Sequence, residues 1–121
     1  MRPLHHPNLK EITVEGVLHA LSDPLRARIY ARLAASDSAQ ICSAFVNVKE
    51  APLPKSTLSH QFRILREAGL IRSEKRGVEL YNRTRCEELK TKFGPLIESV
   101  LKAYMFQEAV KKGKKNLRSK K

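Results

Sequence analysis

Apolar residues recur at helical spacing along most of this chain, and the places where the rhythm fails mark its joints. In "NLKEITVEGVLHALSD" the side chains of Leu9, Ile12, Val17, Leu18 and Leu21 fall on one helical face. The start of this helix has two readings. Asn8 with Glu11 three residues later is a capping-box pattern, whereas Thr13 is a later N-cap that leaves residues 1–12 as an extended arm. Asp23 before Pro24 pairs a capping residue with a first-turn proline and opens a second helix through Leu25, Ile29 and Leu33. "SDSAQICSAFVNV" predicts a third, short helix capped by Asp37 or Ser38, with Ile41, Phe45 and Val48 on one side. The prolines of "KEAPLP" interrupt it.

A fourth helix follows in "LPKSTLSHQFRILREAGLI", where Leu58, Phe62, Leu65 and Ala68 form the apolar stripe and Gly69 stops it in a left-handed conformation. "LIRSEKRGVELYNRT" reads as a hairpin turning near Arg76 to Glu79, with Leu70, Ile71, Leu80 and Tyr81 flanking a charged tip. Thr84 and Glu87 then fit a capping box ahead of a long amphipathic segment. Its stripe runs through Leu89, Phe93, Leu96, Ile97, Val100, Leu101, Tyr104 and Met105, with a kink or short break expected at Gly94-Pro95. A stripe that long exceeds what a small core needs. It predicts a homodimer interface at Leu96, Ile97, Val100, Leu101, Tyr104 and Met105. The element order predicts a mainly α protein with a β-hairpin wing, a dimeric winged helix-turn-helix: an N-terminal arm over residues 1–12, the folded domain over 13–110, and a tail over 111–121.

Composition narrows the choices. At 121 residues the chain has room for one domain with one core. No apolar run approaches the roughly 18 residues of a membrane span, and "MRPLHHPNLK" lacks the apolar centre of a signal peptide. A cytoplasmic protein is expected, with Cys42 and Cys86 as thiols. The net charge of +12 is uneven, because "KKGKKNLRSKK" alone carries seven positive charges and no acid. A block of like charge with little to bury predicts a disordered tail, either idle or gripping phosphate. The remaining +5 is too mild to imply nucleic-acid binding by itself. No Gly-rich phosphate loop and no nucleophile beside a base is visible, so an enzyme is not expected, and no cofactor is called for.

The outward face of the fourth helix carries Lys55, Ser56, Thr57, Ser59, His60, Gln61, Arg63 and Arg66. A merely solvated helix more often carries Glu and Lys. Short hydrogen-bonding side chains followed by arginines suit the base edges and flanking phosphates of a DNA major groove.

"LHALSDPLRARIYARLA", "LPKSTLSHQFRILREAGLI" and "RSEKRGVELYNRT" together resemble the ArsR/SmtB family of winged-helix repressors over roughly residues 14–106. "LSDPLRARI" is similar to that family's Asp-Pro-x-Arg helix start, and "STLSHQFRILREAGLI" to its recognition helix running into the first wing strand. The resemblance implies a homodimer joined by terminal helices. It places Ser56, Thr57, Ser59, His60, Gln61 and Arg63 at or near the major groove, and Lys75 and Arg76 at the wing tip against the minor groove or backbone. Two recognition helices about 34 Å apart would then read an imperfect palindrome. Pro54 departs from the family's usual capping Ser or Thr, so the helix start, and with it the reach of Lys55, has two readings.

Metal-sensing relatives carry a Cys-x-Cys pair or acid and imidazole ligands on the last helix. Here Cys42 is alone in the third helix, the last helix has no His, and surface or packing roles are expected for His5, His6 and His19. No metal is expected. Some relatives respond to oxidants through two cysteines, which makes Cys86, beside Arg83 and Arg85, and Cys42, on an apolar border, a candidate thiol switch; the effector, small molecule or redox, is unknown. The functional expectation is a sequence-specific regulator of transcription, a repressor that covers promoter DNA. A nonspecific architectural nucleic-acid protein and a protein-interaction module are the competing readings.

Overall fold

In a computed structural model that describes residues 4–47 and 52–119, with side chains as far as residue 113, the periodic segments resolve into helices packed on a small antiparallel sheet. Helix α1 spans Val14–Leu21, α2 Pro24–Ala34, α3 Lys55–Glu67, α4 Cys86–Leu89 and α5 Gly94–Ser119; strands β1, β2 and β3 are Gln40–Ile41, Ile71–Arg76 and Glu79–Thr84. Both N-terminal capping signals are used. Asn8 and Glu11 close a reciprocal capping box on a 3-10 turn at Leu9–Glu11, and Thr13 caps α1 by accepting from the Gly16 amide at 3.0 Å. Asp23 caps α2, its carboxylate accepting from the Leu25 amide at 2.7 Å.

The expected third helix does not form. Gln40 and Ile41 instead pair with Asn82 and Tyr81 of β3, and a single 3-10 turn follows at Cys42–Phe45. The cause is Asn82, which is fully buried: its amide donates to the Gln40 carbonyl at 3.1 Å, and its oxygen accepts from Ser73 Oγ at 2.7 Å. A buried amide of this kind must find partners, and β1 supplies one. Phe45 still reaches the core, edge-on to Phe62 with centroids 5.3 Å apart. Val48, the last residue of that expected face, lies outside the described residues.

The sheet order is β1-β3-β2, and Arg76 stands opposite Glu79 across a two-residue turn, Gly77-Val78, as the hairpin pattern predicts. Gly77 has φ 63°, which suits the first position of such a turn. The capping box expected at Thr84 is absent. Thr84 stays in β3 opposite Ile71, its hydroxyl donates to Cys86 Sγ at 3.0 Å, and Arg85 becomes the residue before α4. The long stripe breaks where Gly94-Pro95 predicts, leaving α4 as one turn. α5 continues to Ser119, so the backbone of residues 111–119 is helical where charge density predicts disorder. Its lysines and arginine are good helix formers, which self-repulsion opposes only weakly at this spacing.

Gly69 joins α3 to the wing. The Gly69 and Leu70 amides donate to the carbonyls of Arg66 and Leu65, both at 3.0 Å, a two-bond C-terminal stop with the glycine at φ 88°. A Cβ there would also lie 2.4 Å from Ile12. Gly69→Ala is therefore expected to lower unfolding stability in urea by roughly 1–3 kcal/mol from the backbone conformation alone, and by more once Ile12 has to move.

Candidate nucleic-acid interface

Helix α3 begins at Lys55, with Pro54 as the preceding residue and no side-chain cap, which settles its start. Leu58, Phe62 and Leu65 are each at most 1% exposed and fix which side faces the core. The opposite side presents Lys55, Ser56, Ser59, His60 and Arg63, all exposed. Thr57 is half-buried. Arg66, another residue of the expected outward face, turns back, and its guanidinium reaches Ser73 Oγ at 3.5 Å.

Gln61 is half-buried, and its amide oxygen accepts from Arg26 Nη1 at 3.0 Å. Arg26 is itself buried. Its Nε donates to the Ala20 carbonyl at 2.7 Å, its Nη2 to the His19 carbonyl at 3.2 Å, and Asp23 lies 3.5 Å from Nη1. One guanidinium thus ties the end of α1, the start of α2 and the middle of α3. Bidentate pairing with adenine needs both ends of a glutamine amide. With its oxygen engaged, Gln61 orients the helix, and His60 and Arg63 are the side chains best presented to a groove.

At the wing tip Lys75 and Arg76 are exposed, and the Arg76 guanidinium lies 4.7 Å from the Tyr81 ring and 3.1 Å from Glu74. The root of the wing is held by a carboxylate between two arginines. Glu88 accepts two bonds from Arg72, at 3.1 and 2.8 Å, and two from Arg85, at 2.9 and 3.1 Å. These guanidiniums, Arg72 first, pull its carboxyl down to about 2. Periodicity does not reveal Arg26 or Arg85. The only sequence signal for Arg26 is its place in "DPLR".

Of the residues expected at a dimer interface, Ile97 is buried in its own core, and Tyr104 donates to the Leu21 carbonyl at 2.7 Å. Leu96, Val100 and Leu101 are half-buried against that core, and Met105 is 70% exposed. A second line on α5, Leu96, Val100, Ala103, Phe106 and Val110, follows the same spacing and ends in exposed Phe106 and Val110; on α1, Val14 and Leu18 are exposed one turn apart. The two cysteines have separate partners. Cys42 Sγ lies 3.5 Å from the Asn82 amide, and burial pushes this thiol up. Cys86 is exposed and lies 3.5 Å from the Tyr30 hydroxyl, which burial and then that sulfur keep protonated. Arg85 faces Glu88 and the Pro7 carbonyl. Among the described residues no three His, Cys, Asp or Glu side chains gather as a metal site, and no helix is long and apolar enough to cross a membrane.

A helix-turn-helix domain family matches residues 21–74, from the end of α1 into β2. An ArsR-like transcriptional regulator from Rhodococcus sp. RHA1 superimposes with a TM-score of 0.54 over 82% of this chain and 89% of its own, at 25% identity. The chain is a winged helix-turn-helix transcriptional regulator, similar in fold to ArsR-like regulators. No curated protein matches its sequence significantly. In this winged-helix frame α3 is the second helix of the helix-turn-helix and the β2–β3 hairpin is the wing, so the Glu88 cluster sits where wing and body join. Glu88→Ala would leave the Arg85 side chain, 1% exposed, without its counter-charge. Because the Glu88 side chain is 38% exposed and solvent screens the pair, we expect a loss of about 1–2 kcal/mol at pH 7. In the native chain this contribution is complete above the ordinary carboxyl value of 4.5 and is lost as pH falls to about 2, so the variant's stability curve should lack that acid limb.

Proposed function

We propose that this protein is an ArsR-family, sequence-specific repressor that binds a palindromic operator as a cytoplasmic homodimer. The observation that carries the reading is the division of α3: three buried anchors on one side, and Ser56, Ser59, His60 and Arg63 on the other, exposed and without side-chain hydrogen bonds among the described residues. Base-edge recognition needs donors and acceptors that are oriented yet unspent. In this reading His60 and Arg63 contact bases, Ser56, Thr57 and Ser59 adapt to bases or phosphates, Lys55 contacts backbone, and Lys75 and Arg76 meet the flanking groove. Gln61 holds the helix at the angle Arg26 sets.

Homodimerisation is supported by the second apolar line on α5, which its own core leaves uncovered at Phe106 and Val110. A self-complementary helix face is the simplest cover, because a two-fold axis lets one patch serve both subunits. Two recognition helices would then stand about one DNA turn apart, roughly 34 Å. The competing architectural reading draws on the basic end of α5, whose lysine-rich sequence supplies charge that attracts any duplex.

Gel shift with duplexes from the gene's own upstream region separates the two. His60→Ala and Arg63→Ala should narrow the gap between the bound fragment and random DNA by about 1–3 kcal/mol each. Gln61→Ala should weaken both duplexes alike, since it loosens the helix. Removing residues 111–121 should reduce affinity for every duplex and flatten its salt dependence; equal losses from all four variants would favour the architectural protein. By sedimentation, Phe106→Glu combined with Val110→Glu should convert a dimer to a folded monomer, and an unchanged native species would place the interface elsewhere.

A further inference from the structure

β2 lies at the edge of the sheet, since the strand order gives it a partner on one side only. Edge strands present unpaired backbone groups that a fold must cover. Here the segment ahead of α1 covers them. The Ser73 amide donates to His6 Nε2 at 3.0 Å, and Arg85 Nη1 donates to the Pro7 carbonyl at 2.7 Å. Pro7 and Ile12 are buried, and they occupy the space that a side chain at Gly69 would need. The arm therefore touches the root of the wing twice and the stop of the recognition helix once.

We propose that residues 4–12 form a positioning strap for the DNA-reading unit, in which neutral His6 fixes the wing against α3 and protonation of His6 releases it. The inference rests on the reading of α3 and the wing as a DNA-binding unit. Its chemistry is a matter of lone pairs. A backbone N–H can bond to Nε2 only while that nitrogen is unprotonated, and an imidazolium sets one donor against another. The charged groups facing His6 are Arg72 on β2, Arg66 on α3 and Arg85 ahead of α4, with Glu88 on α4 already shared by Arg72 and Arg85. Asp37, Glu74 and Glu87 line the same cavity, but the charges that act on His6 are the three guanidiniums, to which an imidazolium adds a fourth positive charge.

Burial, and then Arg72, Arg66 and Arg85, hold His6 below the ordinary imidazole value of 6.5, against a backbone hydrogen bond with Leu4 that raises it. A depressed value in the folded state means that the strap's contribution is complete above about 6.5 and is lost as pH falls below it.

The test uses the full chain with His60→Ala as background, which removes the histidine of α3; His5 and His19 are common to every variant compared. Affinity for the upstream duplex is measured by anisotropy from pH 8 to pH 5, and Ser73 amide exchange is measured in the absence of DNA. One hydrogen bond at the wing root corresponds to roughly a 2- to 10-fold change in affinity. The background protein should lose this much on acidification beyond what His6→Gln loses, because a glutamine oxygen accepts from the Ser73 amide at every pH. His6→Ala should bind weakly throughout the range and exchange its Ser73 amide faster than His6→Gln. Equal exchange in the two His6 variants would overturn the strap whether or not DNA binds. Protected exchange with an acid response that His6→Gln retains would overturn the switch.

Discussion

The buried guanidinium of Arg26 is the contact on which the geometry of this protein turns. Burying a charge is costly unless it is paired and hydrogen-bonded. Arg26 meets that condition by joining the last carbonyls of α1, the Asp23 cap of α2 and the Gln61 amide of α3. Apolar packing of Leu58, Phe62 and Leu65 decides which side of α3 faces inward, but such packing is non-directional. The hydrogen bonds of Arg26 supply direction. A helix free to rock on its apolar seat would present its side chains less well to any groove, so this polar contact bears on affinity although it lies beneath the surface.

The same division of labour recurs at the wing. Its tip carries exposed cations, while its root is held by Glu88 between Arg72 and Arg85 and by Asn82 between β1 and β2. Each of these groups has several partners, which makes its position stiff. Function then falls to side chains with few partners, on a scaffold of side chains with many. α5 works in the same way at larger scale: Ile97 and Tyr104 attach it to the body, and Phe106 and Val110 leave a second face uncovered.

Much of this was legible in the order of residues. Asp23-Pro24, the Leu58-Phe62-Leu65 spacing, Gly69 and the Gly77 turn each have a local physical cause, and each element appeared where that cause placed it. The failures share one origin. Ile41 joined a strand because Asn82, forty-one residues on, binds the neighbouring carbonyl of Gln40, and Thr84 missed its capping role because pairing with Ile71 kept it in β3. Gln61 and Arg66 looked outward by periodicity, yet Arg26 and Ser73 claimed them. Helical spacing merges into one stripe two lines of α5, of which Ile97 and Tyr104 pack on the body of the protein and Phe106 and Val110 stay exposed. Long-range polar contacts leave no mark on local spacing, so hydrophobic pattern announced the frame and could not announce which polar residues the frame would consume.

The account stands on the claim that the outward side of α3 is the surface that meets DNA. Titrating the isotope-labelled chain with an upstream duplex and following backbone amides by NMR addresses it directly. The largest changes should fall on Ser56, Ser59, His60 and Arg63, with a second group at the wing tip from Lys75 to Val78. Changes concentrated on the outer face of α5, with α3 undisturbed, would contradict it.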